Sequence, residues 1–189
     1  MSFRHGLVVG KFAPLHRGHE ALIACAQSRC ERVTVISYSR PAWPRATAAD
    51  RERWLRARVP GVQLLVLDEA RLAAHCRALG LPPRELPRDD APDDVHRHFV
   101  AWLLQDLLHE TVDAVFTSEA YGEGFAAVLS DCFCARDAAH PLVTPVCMDK
   151  DRRAIPVSGT RVRAQPAAQR AFVADAAYAD LVPRMCVLG

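Results

Sequence analysis

The chain has 189 residues, half of them apolar and 24% charged, enough to bury one full core and too apolar to stay disordered. Its net charge is +2, from 24 basic and 22 acidic side chains interspersed along the sequence, which excludes the footprint of a general nucleic-acid binder. Nucleic acid is therefore not an expected partner, and any anion site has to be local. Only Lys11 and Lys150 are lysines, so arginine carries nearly all the positive charge. The seven cysteines are odd in number and lack paired C-x-x-C spacing, the pattern of free thiols in a reducing cytosol. The N-terminal apolar stretch is too short for a signal peptide and no later run approaches a membrane span, so a cytoplasmic protein without a membrane partner is expected.

Residues 7–10 form a short β-branched run closed by glycine, followed by a polar loop and apolar spacing through Ala21, Leu22, Ala24 and Cys25: strand, loop, helix. Residues 32–37 predict a second strand. Residues 47–57 predict a helix, with Thr47 as N-cap and Asp50 completing a variant capping box. Residues 61–67 predict a third strand. The stretch 80–94 holds four prolines and four aspartates and predicts a surface excursion, with regular structure resuming near Val95. Phe99, Trp102, Leu103 and Leu107 then fall at helical spacing, with Gln105 and Asp106 on the opposite face. Residues 113–117 predict a fourth strand, 125–129 a short helix and 142–148 a fifth strand. A helical turn opens over 159–163, and 167–181 predicts an amphipathic C-terminal helix. Strands alternating with helices imply an α/β fold, a Rossmann-like parallel sheet covered on both faces.

Ligands of an open parallel sheet sit beyond the carboxyl ends of its strands, where a helix N-terminus offers unpaired N–H groups to an anion. The loop at that place reads Gly10-Lys11-Phe12-Ala13-Pro14-Leu15-His16-Arg17-Gly18-His19. His16 and His19, three apart, project from one face of the first helical turn. Gly18 between them lets a phosphate approach the backbone, and Lys11 adds a mobile point charge. Metal ligation by the two histidines is the weaker reading, because zinc wants three or four ligands and no cysteine or carboxylate stands at matching spacing. No residue is assigned to a metal.

A second motif, PVSGTRVR, occupies residues 156–163 after the last predicted strand. Ser158 and Thr160 supply hydroxyls, Gly159 frees the backbone, and Arg163 lies on the same helical face as Thr160. Taken alone, the run also fits an N-cap followed by solvated arginines.

Together the two motifs resemble the H-x-G-H and S-x-T-x-x-R elements of the nucleotidyltransferase superfamily. GKFAPLHRGH is most similar to the nicotinamide mononucleotide adenylyltransferase domain of NadR-type proteins. The resemblance implies that His16 and His19 contact ATP phosphates and that the backbone around Gly10 and Phe12 lies along the nucleotide. It places Ser158, Gly159, Thr160 and Arg163, rather than Arg161, on the polyphosphate from the opposite side. The implied reaction joins ATP to nicotinamide mononucleotide, giving NAD and pyrophosphate. Mg2+ is expected with ATP, bridging phosphate oxygens through water and substrate. Lys11, two imidazoles and Arg163 would neutralise the triphosphate so that the anionic acceptor can approach, and no protein nucleophile is required.

DAVFTSEAYG at 113–122 resembles the TSExYG segment of the same domains and leaves Ser118, Glu119 and Tyr121 at the end of the fourth strand. They fit ligand contacts and an ordinary strand-to-helix turn equally. RERWL at 51–55, HFVAW at 98–102 and LVPRMCVLG at 181–189 are further local matches, so the resemblance spans nearly the whole chain. A pyridine ring needs a flat partner, which Trp102 or Phe99 could supply, with Trp43 as a rival and core packing as the other reading; Trp54 is read as core. Arg51 resembles the arginine that reaches the mononucleotide phosphate in related enzymes, or is a solvated helix residue. NadR-type proteins often continue into a P-loop kinase. The sequence has no GxxxxGK[ST], and residues 184–189 resemble the first strand of that kinase, so kinase activity is not expected. The expected organisation is one nucleotidyltransferase domain over 1–183. The alternatives are another transferase of the superfamily, such as a pantetheine-phosphate adenylyltransferase or a cytidylyltransferase, and a module that senses nucleotides without turnover. A homo-oligomer is compatible with each.

Overall fold

Five parallel strands form the centre of the computed structural model, which describes residues 2–118, 121–148 and 155–182. The expected terminal strand at 184–189 and Glu119 lie outside the described residues. The strands are β1 (Phe3–Gly10), β2 (Cys30–Ser37), β3 (Gln63–Val66), β4 (Ala114–Thr117) and β5 (Thr144–Cys147). They pair in the order β3-β2-β1-β4-β5, so the winding direction reverses between β1 and β4. Seven helices flank them among the described residues: α1 (Arg17–Arg29), α2 (Ala48–Arg58), α3 (Glu69–Ala78), α4 (Asp93–Trp102), α5 (Gly122–Cys134), α6 (Gly159–Ala164) and α7 (Asp175–Leu181).

Side chains alternate along a strand, and here both faces are buried. Leu7 enters one core with Ile36, Leu65 and Val115, closed by Leu72 of α3, Phe99 of α4 and Leu129 of α5. Val8 enters the other with Val35, Val66 and Phe116, closed by Ile23 of α1, Trp54 of α2, Val162 of α6 and Leu181 of α7. The expected capping box starts α2: Thr47 Oγ1 accepts from the Asp50 N–H at 3.2 Å and the Asp50 carboxylate accepts from the Thr47 N–H at 3.1 Å. Trp54, core as expected, donates its Nε1–H to Asp180 at 2.7 Å and so fastens α2 to α7.

Where elements differ from the sequence reading, a specific interaction accounts for it. β1 begins four residues earlier than expected because His5, which breaks the apolar run, is buried with both ring nitrogens engaged: Nδ1 lies 2.7 Å from the Thr111 carbonyl and Nε2 2.8 Å from the Thr34 hydroxyl. Helix α3 had no counterpart in the sequence reading; its buried stripe is only Leu72 and Cys76, and Asp68 caps it by accepting from the Arg71 N–H at 2.8 Å. Helix α5 runs well beyond 125–129 because its apolar stripe continues through Phe125, Ala126, Leu129 and Phe133. After α4 the chain continues as a π-helical segment, Leu103–Leu107, closed by the Leu108 N–H on the Leu103 carbonyl at 2.9 Å. The single helix expected over 167–181 is instead a 3₁₀ turn, Arg170–Phe172, and α7. Val173 between them is extended, and its carbonyl accepts from the Arg170 guanidinium at 2.9 Å.

The excursion at 80–94 is anchored rather than loose. Leu86 is buried in the core under α3 and α4, and Arg40 holds Glu85 at 2.7 Å and the Leu86 carbonyl at 3.0 Å. Asp89 accepts from Ser39 Oγ at 2.9 Å and the Arg40 N–H at 3.0 Å. These bonds fold the excursion back over the carboxyl end of β2. Among the described residues no helix is long and apolar enough to cross a membrane.

Burial, with the Arg32 charge beside it, holds the His5 pKa below the ordinary imidazole value against the opposing pull of the Thr111 carbonyl. The unfolded chain takes up this proton more readily, so the stability His5 contributes is present above about pH 6.5 and declines as pH falls through that value. The melting-temperature advantage of wild type over His5→Gln should therefore shrink between about pH 7.5 and about pH 5.5 in calorimetry.

Candidate functional site

A cavity of about 490 Å³ opens beyond the carboxyl ends of β1 and β4, where the winding reverses. One wall comes from the loop after β1 and the first turn of α1. His16 is the N-cap of α1, in extended conformation, and its carbonyl accepts from the His19 N–H at 2.9 Å. The two imidazoles stack, with centroids 3.6 Å apart and planes 15° from parallel, and Phe12 meets His19 edge-on at 4.9 Å. A Cβ on Gly18 would lie 3.2 Å from two atoms of the His16 ring and 3.3 Å from Val157, so glycine lets the ring and the second motif close in. Phe12 has φ 50°, the left-handed region, at a cost of about 1–2 kcal/mol for a residue with a side chain. Its buried ring, packed on Gly10 and His19, holds it there.

The second motif adjoins this wall. Ser158 caps α6, its hydroxyl accepting from the Arg161 N–H at 3.2 Å. Arg163 donates Nη1–H to the Ala13 carbonyl at 2.6 Å and Nη2–H to Thr160 Oγ1 at 3.2 Å, with Trp43 5.9 Å from its guanidinium carbon. His16, His19, Ser158, Gly159, Thr160 and Arg163 thus line one cavity although the motifs are far apart in sequence. Gly10, Lys11, Phe12, Gly18, Ser118 and Tyr121 also line it. The Lys11 ammonium sits 3.0 Å from Asp89, delivered by the anchored excursion.

Three expected acceptor residues lie elsewhere. Arg51 is fully buried beneath the cavity floor, its Nη1 donating to Ser37 Oγ at 2.6 Å and toward the Lys11 carbonyl at 3.5 Å, and its Nη2 to the Leu67 carbonyl at 2.9 Å. It does not line the cavity; Ser37 Oγ, to which it donates, in turn donates to the Lys11 carbonyl at 3.0 Å, and burial depresses the Arg51 pKa. Phe99 is core, edge-on to Tyr38 at 5.2 Å. Trp102 packs on Phe99 and carries the Arg84 guanidinium 4.5 Å from its ring centre. Neither aromatic lines the cavity.

The wall facing the histidines is built instead from residues the sequence reading did not single out: Tyr38, Asp89, Asp93, His96 and Arg97. Burial raises the Tyr38 pKa far above the ordinary phenol value, and burial, followed by the Lys11 charge, lowers that of His96. The Tyr38 hydroxyl and His96 Nδ1 lie 3.0 Å apart, within hydrogen-bonding distance. The one sequence cue was the density of acid, histidine and arginine from Asp89 to His98, a stretch that composition alone assigns to solvent.

No protein-family model matches the chain, and no curated protein matches it. Among solved structures, the crystal structure of NadR protein in complex with NAD and AMP-PNP is similar, with a TM-score of 0.53 and 22% identity, covering 91% of this chain. The chain shares with that structure a Rossmann-like α/β fold, a parallel sheet flanked by helices. It spans 45% of the NadR chain, less than half its length.

Arg51→Met removes the donor from the Leu67 carbonyl and the Ser37 hydroxyl, while the Lys11 carbonyl keeps its bond from Ser37 Oγ at 3.0 Å. A buried polar group left unpaired costs about 1–3 kcal/mol, so urea unfolding should register a loss of at least about 2 kcal/mol.

Proposed function

We propose that this protein is a nicotinamide-nucleotide adenylyltransferase, converting ATP and nicotinamide mononucleotide to NAD and pyrophosphate. The observation that carries the reading is the 2.6 Å hydrogen bond from Arg163 to the Ala13 carbonyl, which ties the second motif to the loop bearing the first. The histidine pair and the arginine thereby face one cavity. The NadR protein of similar fold was crystallised with NAD and AMP-PNP, a dinucleotide and an analogue of ATP.

In this reading an oxygen of the mononucleotide phosphate attacks the ATP α-phosphorus. The bond from that phosphorus to the bridging oxygen breaks, and pyrophosphate leaves with the electron pair. His16, His19 and Arg163 hold the polyphosphate from two sides while Lys11 turns from Asp89 toward it. Such fixed donors act on charge that develops in the transition state, so catalysis is positioning plus electrostatic stabilisation. Among the described residues no group of three or more histidine, cysteine or carboxylate side chains could hold a metal ion. In this reading Mg2+ would arrive with ATP and would supply further charge neutralisation at the polyphosphate.

Purified protein given NAD and pyrophosphate should form ATP and mononucleotide; folded protein that fails in both directions overturns the assignment. Turnover of another phosphorylated acceptor, such as phosphopantetheine, in place of the pyridine nucleotide would move the protein to a different transferase. His19→Ala should lower kcat by about 100-fold or more while ATP affinity changes by less than about threefold, the signature of a contact that tightens in the transition state. Gly18→Ala, which crowds the His16 ring, should lower kcat in the same direction.

A further inference from the structure

If adenylyl transfer takes place between the histidine pair and Arg163, the reacting phosphate of the acceptor lies on the α1 and α6 side of the sheet. Its base then points to the other wall, built from β2, α4 and α5. That wall presents aromatic surface from Tyr38, Tyr121 and Phe125, and one guanidinium, Arg97.

Arg97 is held in an unusual way. A Cβ placed on Gly124 would lie 3.0 Å from its Cζ, Nη1 and Nη2 alike, so the guanidinium rests face-on against α5 at a position that only glycine leaves open. Its plane is fixed by that contact, and its N–H edge is left for other partners. Nε is buried without a hydrogen-bond partner among the described residues. Nη2 meets Asp93 at 3.2 Å, but the Asp93 side chain is 69% exposed, and such exposed pairs hold weakly. With Nε shielded, a ligand meets the flat guanidinium along its Nη1–Nη2 edge, which takes a carboxylate in two parallel hydrogen bonds in exchange for Asp93, whereas a carboxamide offers it only one acceptor oxygen.

We propose that Arg97 is the specificity-determining residue for the acceptor's base, and that the preferred acceptor is the pyridine mononucleotide whose ring bears a carboxylate, nicotinate mononucleotide. The inference rests on the adenylyl-transfer reading above. The chemistry of transfer is unchanged; the product is the acid form of the dinucleotide.

The test compares kcat/KM for the full chain with ATP and either nicotinate or nicotinamide mononucleotide. Wild type should favour the acid by about tenfold or more, and Arg97→Gln should bring the ratio to about one. Gly124→Ala leaves every charge in place and suits a helix, but displaces the guanidinium; it should lower the ratio severalfold and decides the matter if Arg97→Gln does not fold. A wild-type preference for the amide overturns the assignment of Arg97 and leaves adenylyl transfer standing, as does a ratio that the variants leave unmoved. If neither mononucleotide is converted to a dinucleotide, the transferase reading falls and takes this one with it.

Discussion

A positive charge sealed beneath the cavity floor holds the carboxyl ends of three strands together. Arg51 donates to groups at or just beyond β1, β2 and β3, through the Lys11 carbonyl, the Ser37 hydroxyl and the Leu67 carbonyl. Among the described residues its hydrogen bonds go to neutral acceptors, with Asp68 and Asp89 opposing the cost of burial only through their charge. Such an arrangement tolerates little movement, because each acceptor would be orphaned if the strand ends separated. The loop that carries Lys11 and Phe12 leaves the sheet from this fixed point, and the histidines follow from that loop. Rigid support under the polar groups is what makes their spacing meaningful.

The two faces of the sheet contribute differently to the cavity. The α1 and α6 face supplies stacked imidazoles and a guanidinium tied to backbone. The α4 and α5 face supplies aromatic rings and two cation–carboxylate pairs, Lys11 with Asp89 and Arg97 with Asp93, both acids coming from the excursion or the start of α4. These pairs leave little net charge on that side. The Pro- and Asp-rich stretch is thereby part of the cavity lining, fastened through Ser39 and Arg40.

The doubly wound sheet and the two motifs that meet at the cavity were legible in the sequence because each rests on local signals: β-branched runs, glycine at a strand end, and polar residues at fixed offsets. The capping box at Thr47 was legible for the same reason. Arg51 was not, since helical spacing says which residues share a face but not whether an arginine on that face finds backbone carbonyls or solvent. Trp102 and Phe99 drew attention as large aromatics, yet position decided otherwise: Tyr38, one residue past β2, lines the cavity and Phe99 supports it from behind. Helix α3 escaped because two buried residues in an alanine- and arginine-rich run carry almost no periodic signal.

Phe12 bears on how portable this loop is. Its left-handed backbone would come freely to glycine, but here an aromatic residue adopts it, held by packing against Gly10 and His19. The shape of the loop is consequently stored in its neighbours. Grafting the string from Gly10 to His19 onto another scaffold would transplant its letters without its curvature, unless the host also provided the seat for that ring.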